Sequence, residues 1–202
     1  MNKEIAISNR DALILIDLQR DFFEDGILPV KGANEILGSL IPVIRLFPWI
    51  VASQDWHRIE KKTSQPEIFG QGHCIEKTPG AELHPILSNR MPDLIIQRDC
   101  KKEDETFSLF EQSELESWLR HRGIRRLFIA GFTSEYGVKE TVLSGLKNGF
   151  ELFVIRECIK PRGTEVDGAR ALKEMESAGA KLISEGQLVI ADSYETRVSA
   201  GG

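Results

Sequence analysis

Charged side chains follow three short apolar runs of this 202-residue sequence, at the point where each run ends. These residues are Asp17 after Ala12–Ile16, Asp55 and His57 after Ile50–Ala52, and Arg98 after Leu94–Ile96. If the runs are parallel strands, their carboxyl ends share one edge of a sheet, which is where open α/β folds bind ligands. The sequence therefore predicts that carboxylates, an imidazole and a guanidinium meet in one small-molecule pocket.

The first group that could do chemistry is Asp55 with His57, and His73 lies further along the same segment. A carboxylate and an imidazole two residues apart can reach one ion when the backbone is extended or turned. Three protein ligands would leave positions open for water or substrate, as catalytic metal sites require. Such ligands suit zinc, iron or manganese. A hydrogen-bonded loop pair with no metal is the alternative that the spacing leaves open.

The second group is Asp17, whose position at the end of a buried strand would perturb its pKa. Asp17 could serve as a base, or it could cap a turn by accepting hydrogen bonds from nearby N–H groups. A fourth apolar run, Leu127–Ala130, leads into the turn Gly131–Gly137 and then a helix N-terminus. Such a place favours a nucleophile or an oxyanion, yet the turn holds no cysteine, and Gly137 could simply allow the backbone to turn.

The elements that must position these residues alternate apolar runs with amphipathic segments, which is typical of a parallel sheet with crossover helices. Besides the four runs already named, we expect strands at Leu152–Ile155 and, at an edge, Leu182–Ile183. Four helices are predicted. The first covers Asn34–Leu46, the second begins at a capping box at Ser113–Glu116, and the third has Val138, Val142 and Leu146 on one face. The fourth begins at Thr164 and Asp167 and has Ala171, Leu172, Met175 and Ala178 on its inward face.

Composition excludes several classes of function. The formal net charge is −5, and basic pairs such as Lys61-Lys62 are scattered, which argues against a nucleic-acid footprint. No apolar run approaches the length of a membrane span, and neither dinucleotide nor P-loop glycine motifs occur. The three cysteines form no disulfide framework. We therefore expect a soluble cytoplasmic protein with reduced thiols.

With these residues in hand, the chain resembles the nicotinamidase (pyrazinamidase) branch of the isochorismatase-like cysteine hydrolase superfamily. The matching segments are Leu15–Phe22, Gly26–Ala33, Ser53–His57, His73–Pro85, Phe107–Phe110, and Gly131–Thr133 with Val138. The resemblance implies a three-layer α/β/α sandwich with a parallel sheet of about six strands. It also implies one domain over residues 1–202, with a core from residue 11 to residue 185.

The resemblance implies a chemistry as well. In this family an aspartate at the Asp17 position acts as base for a cysteine, and a lysine after the third strand polarises the site. The cysteine attacks a small amide such as nicotinamide, ammonia leaves, and water releases the acid from a thioester, a reaction of NAD salvage. A divalent metal at the Asp55, His57 and His73 positions holds the pyridine nitrogen. The resemblance places the ligand against Phe22, Phe69, Phe132 and Thr133, and it suggests a homo-oligomer.

Two catalytic positions depart from the family pattern. The cysteine position, four residues after Thr133, is Gly137, and the lysine position, twelve residues before Phe110, is Arg98. Glycine has no side chain with which to attack, and deleting a hydrolase nucleophile costs on the order of 10⁶ in turnover. Arginine is bulkier than lysine, planar and permanently charged. It could pair with Asp17 and hold that carboxylate ionised.

Two lesser departures affect the metal and the ligand wall. A second family histidine falls at Lys61, and an expected aromatic falls at Gly70, next to Phe69.

Three hypotheses follow. The leading one is a family member that keeps the fold, the metal and a pocket for a nicotinamide-like ligand but lacks ordinary amidase activity. The second is an active hydrolase with a reassigned nucleophile: a metal-bound water with Asp17 as base, or the side chain of Ser134 or Cys100. The third is a non-catalytic scaffolding subunit that binds no metal.

Overall fold

The computed structural model describes residues 3–58, 72–98, 108–110 and 114–191. Its strands are β1 (Ile5–Ile7), β2 (Asp11–Ile16), β3 (Trp49–Asp55), β4 (Leu94–Arg98), β5 (Arg126–Phe132), β6 (Glu151–Lys160), β7 (Lys181–Ile183) and β8 (Leu188–Ile190). Six of them form a parallel sheet in the order β4-β3-β2-β5-β6-β7. The six expected strands are confirmed, and the last of them, β7, lies at the edge as predicted.

Helices cover both faces of this sheet. They are α1 (Ile36–Leu46), α2 (Leu115–His121), α3 (Lys139–Lys147) and α4 (Glu165–Ser177). Successive residues of a strand point to opposite faces, and β2 shows this directly. Leu13 and Leu15 pack in one core with α1, whereas Ala12, Ile14 and Ile16 pack in a second core with α2, α3 and α4. The predicted three-layer α/β/α sandwich is thus confirmed.

The register of the central strands aligns the charged residues. Asp55 is the direct partner of Arg98 across β3 and β4, and Ile16, just before Asp17, is the partner of Gly131 across β2 and β5. Because all these strands are parallel, the chemistry-bearing residues arrive together at one edge.

Several details differ from the sequence prediction. β1 and β8 form a separate two-stranded parallel sheet. The sequence did not predict it, because strands of three residues are too short to show a clear pattern. A 3-10 turn, Ala33–Glu35, precedes α1, which contains Pro42. The prediction that Ala178 faces inward is wrong: this residue is the C-cap of α4 and is exposed, like its neighbours Ser177 and Gly179.

The predicted helix signals have mixed outcomes. The start predicted at Thr164 and Asp167 is confirmed, and the structure adds that these two side chains form a capping box by bonding each other's backbone N–H groups. The capping box predicted at Ser113 falls partly outside the described residues. In the part of the chain that the structure describes, no helix combines the length and apolarity needed to cross a membrane.

Candidate active site

A cavity of about 450 Å³, counted with its mouth, opens at the carboxyl edge of the sheet. Its wall contains Asp17, Phe22, Leu28, Val30, Asp55, His73, Arg98, Phe132, Thr133, Tyr136, Gly137 and Arg162. The structure thus brings together most of the site residues predicted from the sequence.

Asp17 sits at the floor of the cavity with φ of 49°, directly after β2. Its Oδ1 accepts a hydrogen bond from Ser53 Oγ at 2.5 Å, and its backbone N–H donates to the same hydroxyl at 3.0 Å. Arg98 Nη2 donates to Asp17 Oδ2. Burial raises the pKa of Asp17 above its ordinary value, and the neighbouring Arg98 guanidinium opposes that rise.

Asp55, His57 and His73 form a compact cluster beside Asp17. His57 Nε2 lies 3.1 Å, and His73 Nε2 3.0 Å, from the same atom, Asp55 Oδ2. Asp55 is fixed from behind by Gln19, which donates to its carbonyl at 2.8 Å and accepts from its N–H at 2.7 Å. Burial alone would raise the pKa of Asp55, but the two imidazoles together with the Arg98 guanidinium hold the pKa below its usual range.

This cluster fits a divalent metal ion. The three ligand atoms lie within 4.8 Å of one another, and Asp55 and His73 are buried. Two imidazoles and one carboxylate are a ligand set that catalytic zinc sites use, with room left for another ligand. His73 also packs edge-on against Phe22, with ring centroids 5.6 Å apart, so the ion position would adjoin an aromatic wall of the cavity.

Gly137 lies in a π-helical turn, Ser134–Val138, that follows β5 and leads into α3. A Cβ at position 137 would lie 3.5 Å from Asp17 Oδ2 and 3.4 Å from the carbonyl oxygen of Phe132. It would also come within 2.9 Å of Ile16 Cγ2, closer than real Cβ atoms approach. Position 137 therefore faces the Asp17 carboxylate, and a methyl group of Ile16 occupies part of the space that a side chain would need.

The predicted ligand-contacting residues have two outcomes. Phe22, Phe132 and Thr133 line the cavity, whereas Phe69 lies outside the described residues, as does Cys100, one of the alternative nucleophiles. Ser134, the other, is 1% exposed and is not part of the described cavity wall. Its hydroxyl instead donates to Glu135 Oε2 at 3.3 Å.

Sequence reasoning missed four residues of the wall, which are Leu28, Val30, Tyr136 and Arg162. Arg162 comes shortly after β6, so the rule that ligands bind at the carboxyl ends of strands could have found it. Its backbone N–H donates to Glu135 Oε1 at 2.9 Å, and that of Gly163 donates to the same oxygen at 2.7 Å. Glu135 thereby ties the turn that holds Gly137 to the segment that carries Arg162.

Comparison with known proteins agrees with this geometry. Residues 11–187 match the isochorismatase domain family. The nicotinamidase of Escherichia coli (strain K12) is 31% identical over 219 residues, which cover 92% of this chain and 98% of that protein. A plant relative from Arabidopsis thaliana, 28% identical over 84% of this chain and 90% of its own length, bears the name probable inactive nicotinamidase.

Solved structures show the same likeness. The pyrazinamidase of Pyrococcus horikoshii in complex with zinc superposes with a TM-score of 0.75 and 35% identity, covering 87% of this chain and 99% of that one. PnC1 from L. infantum, in complex with nicotinate, gives a TM-score of 0.81 and 26% identity, covering 93% of this chain and 100% of that one. With a family match over most of its length and a nicotinamidase 31% identical to it, the chain belongs to the isochorismatase domain family, in its nicotinamidase branch.

Proposed function

We propose that this chain keeps a nicotinamidase-type pocket for a divalent metal and a small pyridine-like ligand but is impaired as an amide hydrolase. One observation carries the proposal: the position that faces the Asp17 carboxylate at 3.5 Å, measured from a Cβ, is Gly137. A covalent mechanism needs a nucleophilic side chain next to its base. Here the carboxylate is present and the side chain is not.

The charges around Asp17 support the same proposal. Its Oδ1 accepts from Ser53, and its Oδ2 contacts Arg98. Both oxygens are therefore engaged by donors of the protein itself. Arg98 cannot give up its proton in a protein, so in this arrangement it stabilises the carboxylate in its charged form and does not relay a proton.

The pocket itself suits a flat aromatic ring. Phe22, Leu28, Val30 and Phe132 supply an apolar wall, and Asp55, His57 and His73 would hold the ion beside it. When bound, a divalent ion would supply a Lewis acid that anchors a pyridine nitrogen. The pyrazinamidase structure in complex with zinc supports zinc as the ion. The PnC1 structure in complex with nicotinate supports a pyridine-like ligand. The proposal includes a cytoplasmic homo-oligomer and takes residues 1–202 as one domain.

A second candidate, an active hydrolase with a reassigned nucleophile, is favoured by one observation. Asp17 lines the cavity, and burial raises its pKa, so the carboxyl group is placed to hold a proton taken from a ligand or from water. This candidate requires that Asp17→Asn abolish turnover of a small amide, whereas the first predicts no turnover to abolish.

The deciding experiment measures ammonia release from nicotinamide and pyrazinamide by zinc-loaded protein. We expect the wild type to stay at background and the variant Arg98→Lys/Gly137→Cys to release ammonia above it. The matched control is Arg98→Lys/Gly137→Ala, which adds the same Cβ without a thiol. The contact with Ile16 makes a Cβ at 137 cost about 1–3 kcal/mol in overpacking, and both variants carry that contribution.

Calorimetric titration of nicotinamide into the zinc-loaded wild type tests the pocket separately. Binding together with background turnover supports the proposal. Wild-type turnover at an ordinary enzymatic rate contradicts it, and the absence of both zinc and ligand binding supports the scaffolding hypothesis instead.

A further inference from the structure

Asp21 is a buried carboxylate that the proposed mechanism does not use. It lies in the 3-10 turn Arg20–Phe22, which follows Asp17 closely, and is 4% exposed. Its Oδ2 accepts the backbone N–H of Cys74 at 2.7 Å, and its Oδ1 accepts that of Ile27 at 3.3 Å. Among the described residues Asp21 forms no ion pair. A buried carboxyl group that accepts backbone N–H groups fixes the segments that donate to it.

The backbone of Cys74 in turn connects both histidines of the metal cluster. Cys74 directly follows His73, and its carbonyl accepts the backbone N–H of His57 at 3.0 Å. The carbonyl of His57 accepts from Glu76 at 2.8 Å, which completes a short parallel bridge. Cys74 itself has φ of 47°, a left-handed conformation that is unusual for a residue other than glycine. That conformation needs support from its surroundings.

A third segment closes over the same carboxylate. A Cβ at Gly80 would overlap both side-chain oxygens of Asp21, so the backbone of the turn Pro79–Ala81 packs directly against them. Among the described residues the metal cluster consists of Asp55, His57 and His73, and the fully buried Cys74 thiol is not part of it. What Cys74 contributes is its backbone.

We propose that Asp21 is a positioning residue for the metal site: its carboxylate holds the Cys74 peptide, and through that peptide it sets where His57 and His73 present their rings. The proposal rests on the proposed metal site. Partners behind metal ligands commonly change metal affinity by 10- to 100-fold when they are removed.

The test is the zinc affinity of the metal-free full-length chain, measured by competition with a chromophoric chelator. Asp21→Asn keeps one acceptor oxygen and Asp21→Ala keeps none, so we expect zinc affinity to fall about 10-fold and about 100-fold in that order. The control is Asp93→Asn, which also removes a carboxylate that accepts a backbone N–H, that of Ile50 at 2.8 Å. It does so at the opposite end of β3, so its zinc affinity should match the wild type.

Thermal unfolding of the metal-free variants separates positioning from general stability. Asp21→Asn and Asp93→Asn can both lower the Tm, but only the former should weaken zinc binding. A folded Asp21→Asn variant with wild-type zinc affinity overturns the inference and leaves the proposed function intact. If that variant does not fold, the readout moves to Asp21→Ala, which places no amide N–H group against the backbone donors, and wild-type zinc affinity in folded Asp21→Ala overturns the inference too. A wild type that binds no zinc refutes the metal site itself, and the inference with it.

Discussion

At the scale of single residues, the ion pair between Arg98 and Asp17 means that the Asp17 carboxylate is already bound by a protein cation. The side chains of both residues are less than a tenth exposed. A buried ion pair gains little over well-packed apolar groups, yet breaking one by removing a single partner is costly, because the other charge stays buried. We therefore expect that removing both side chains costs less stability than removing one of them.

This yields a stability prediction. Arg98→Met should lower the free energy of unfolding by about 3–5 kcal/mol, measured by urea denaturation. Adding Asp17→Asn in the same chain should recover part of that loss, since it removes the orphaned charge. Arg170→Met is the control: its exposed ion pair with Asp167 spans 3.8 Å, and such pairs contribute at most about 1 kcal/mol. Equal losses for Arg98→Met and Arg170→Met would contradict the argument.

At the scale of elements, the 3-10 turn Pro85–Leu87 depends on a neutral histidine. His84 Nδ1 accepts the backbone N–H of Ile86 at 3.2 Å, and the ring packs on Phe23 with centroids 4.1 Å apart. Burial lowers the pKa of His84, and nearby Arg20 lowers it further. The folded state therefore binds its proton less readily than the unfolded chain does.

The resulting pH dependence has a definite sign. Stability from His84 is fully present above the unfolded pKa of about 6.5 and is lost as pH falls through that value and below it. His84→Asn keeps an acceptor for Ile86 but does not titrate. We expect the urea midpoint to drop less between pH 8 and pH 5.5 in this variant than in the wild type. Identical drops would show that His84 does not contribute.

Elements also show how far the sequence could lead. Unbroken apolar runs predict buried parallel strands, and charged residues shortly after these runs predict the edge of the sheet where the pocket lies. The sequence could therefore place Asp17, Asp55 and Arg98 together. Leu28 and Val30 could not be placed, because they reach the cavity through an irregular loop with no periodicity. The role of Asp21 was equally hidden, since its partner Cys74 is 53 residues away and donates only a backbone N–H, which carries no sequence signal.

At the scale of the whole molecule, the thiols of Cys74 and Cys158 are enclosed by the fold. Burial raises the pKa of Cys158 to about 12, and Glu185 and Glu157 add to the effect. Because the thiolate is the reactive form, these two thiols should resist a disulfide reagent as long as the chain stays folded.

The measurement uses a Cys100→Ser variant, so that only Cys74 and Cys158 remain. We expect no thiol to react in native buffer and both to react in denaturant, followed by absorbance of the released thiolate. Rapid labelling of either in native buffer would mean that its part of the core opens far more readily than its burial indicates.

The methyl group of Ile16 that crowds position 137 bears on how a thiol could be introduced there. An ideal Cβ at that position would lie 2.9 Å from Ile16 Cγ2, so the methyl group or the turn must shift before any side chain fits. A single substitution at Gly137 would therefore supply a thiol without also supplying the geometry that attack requires. Engineering of this pocket would have to treat positions 16 and 137 as one unit.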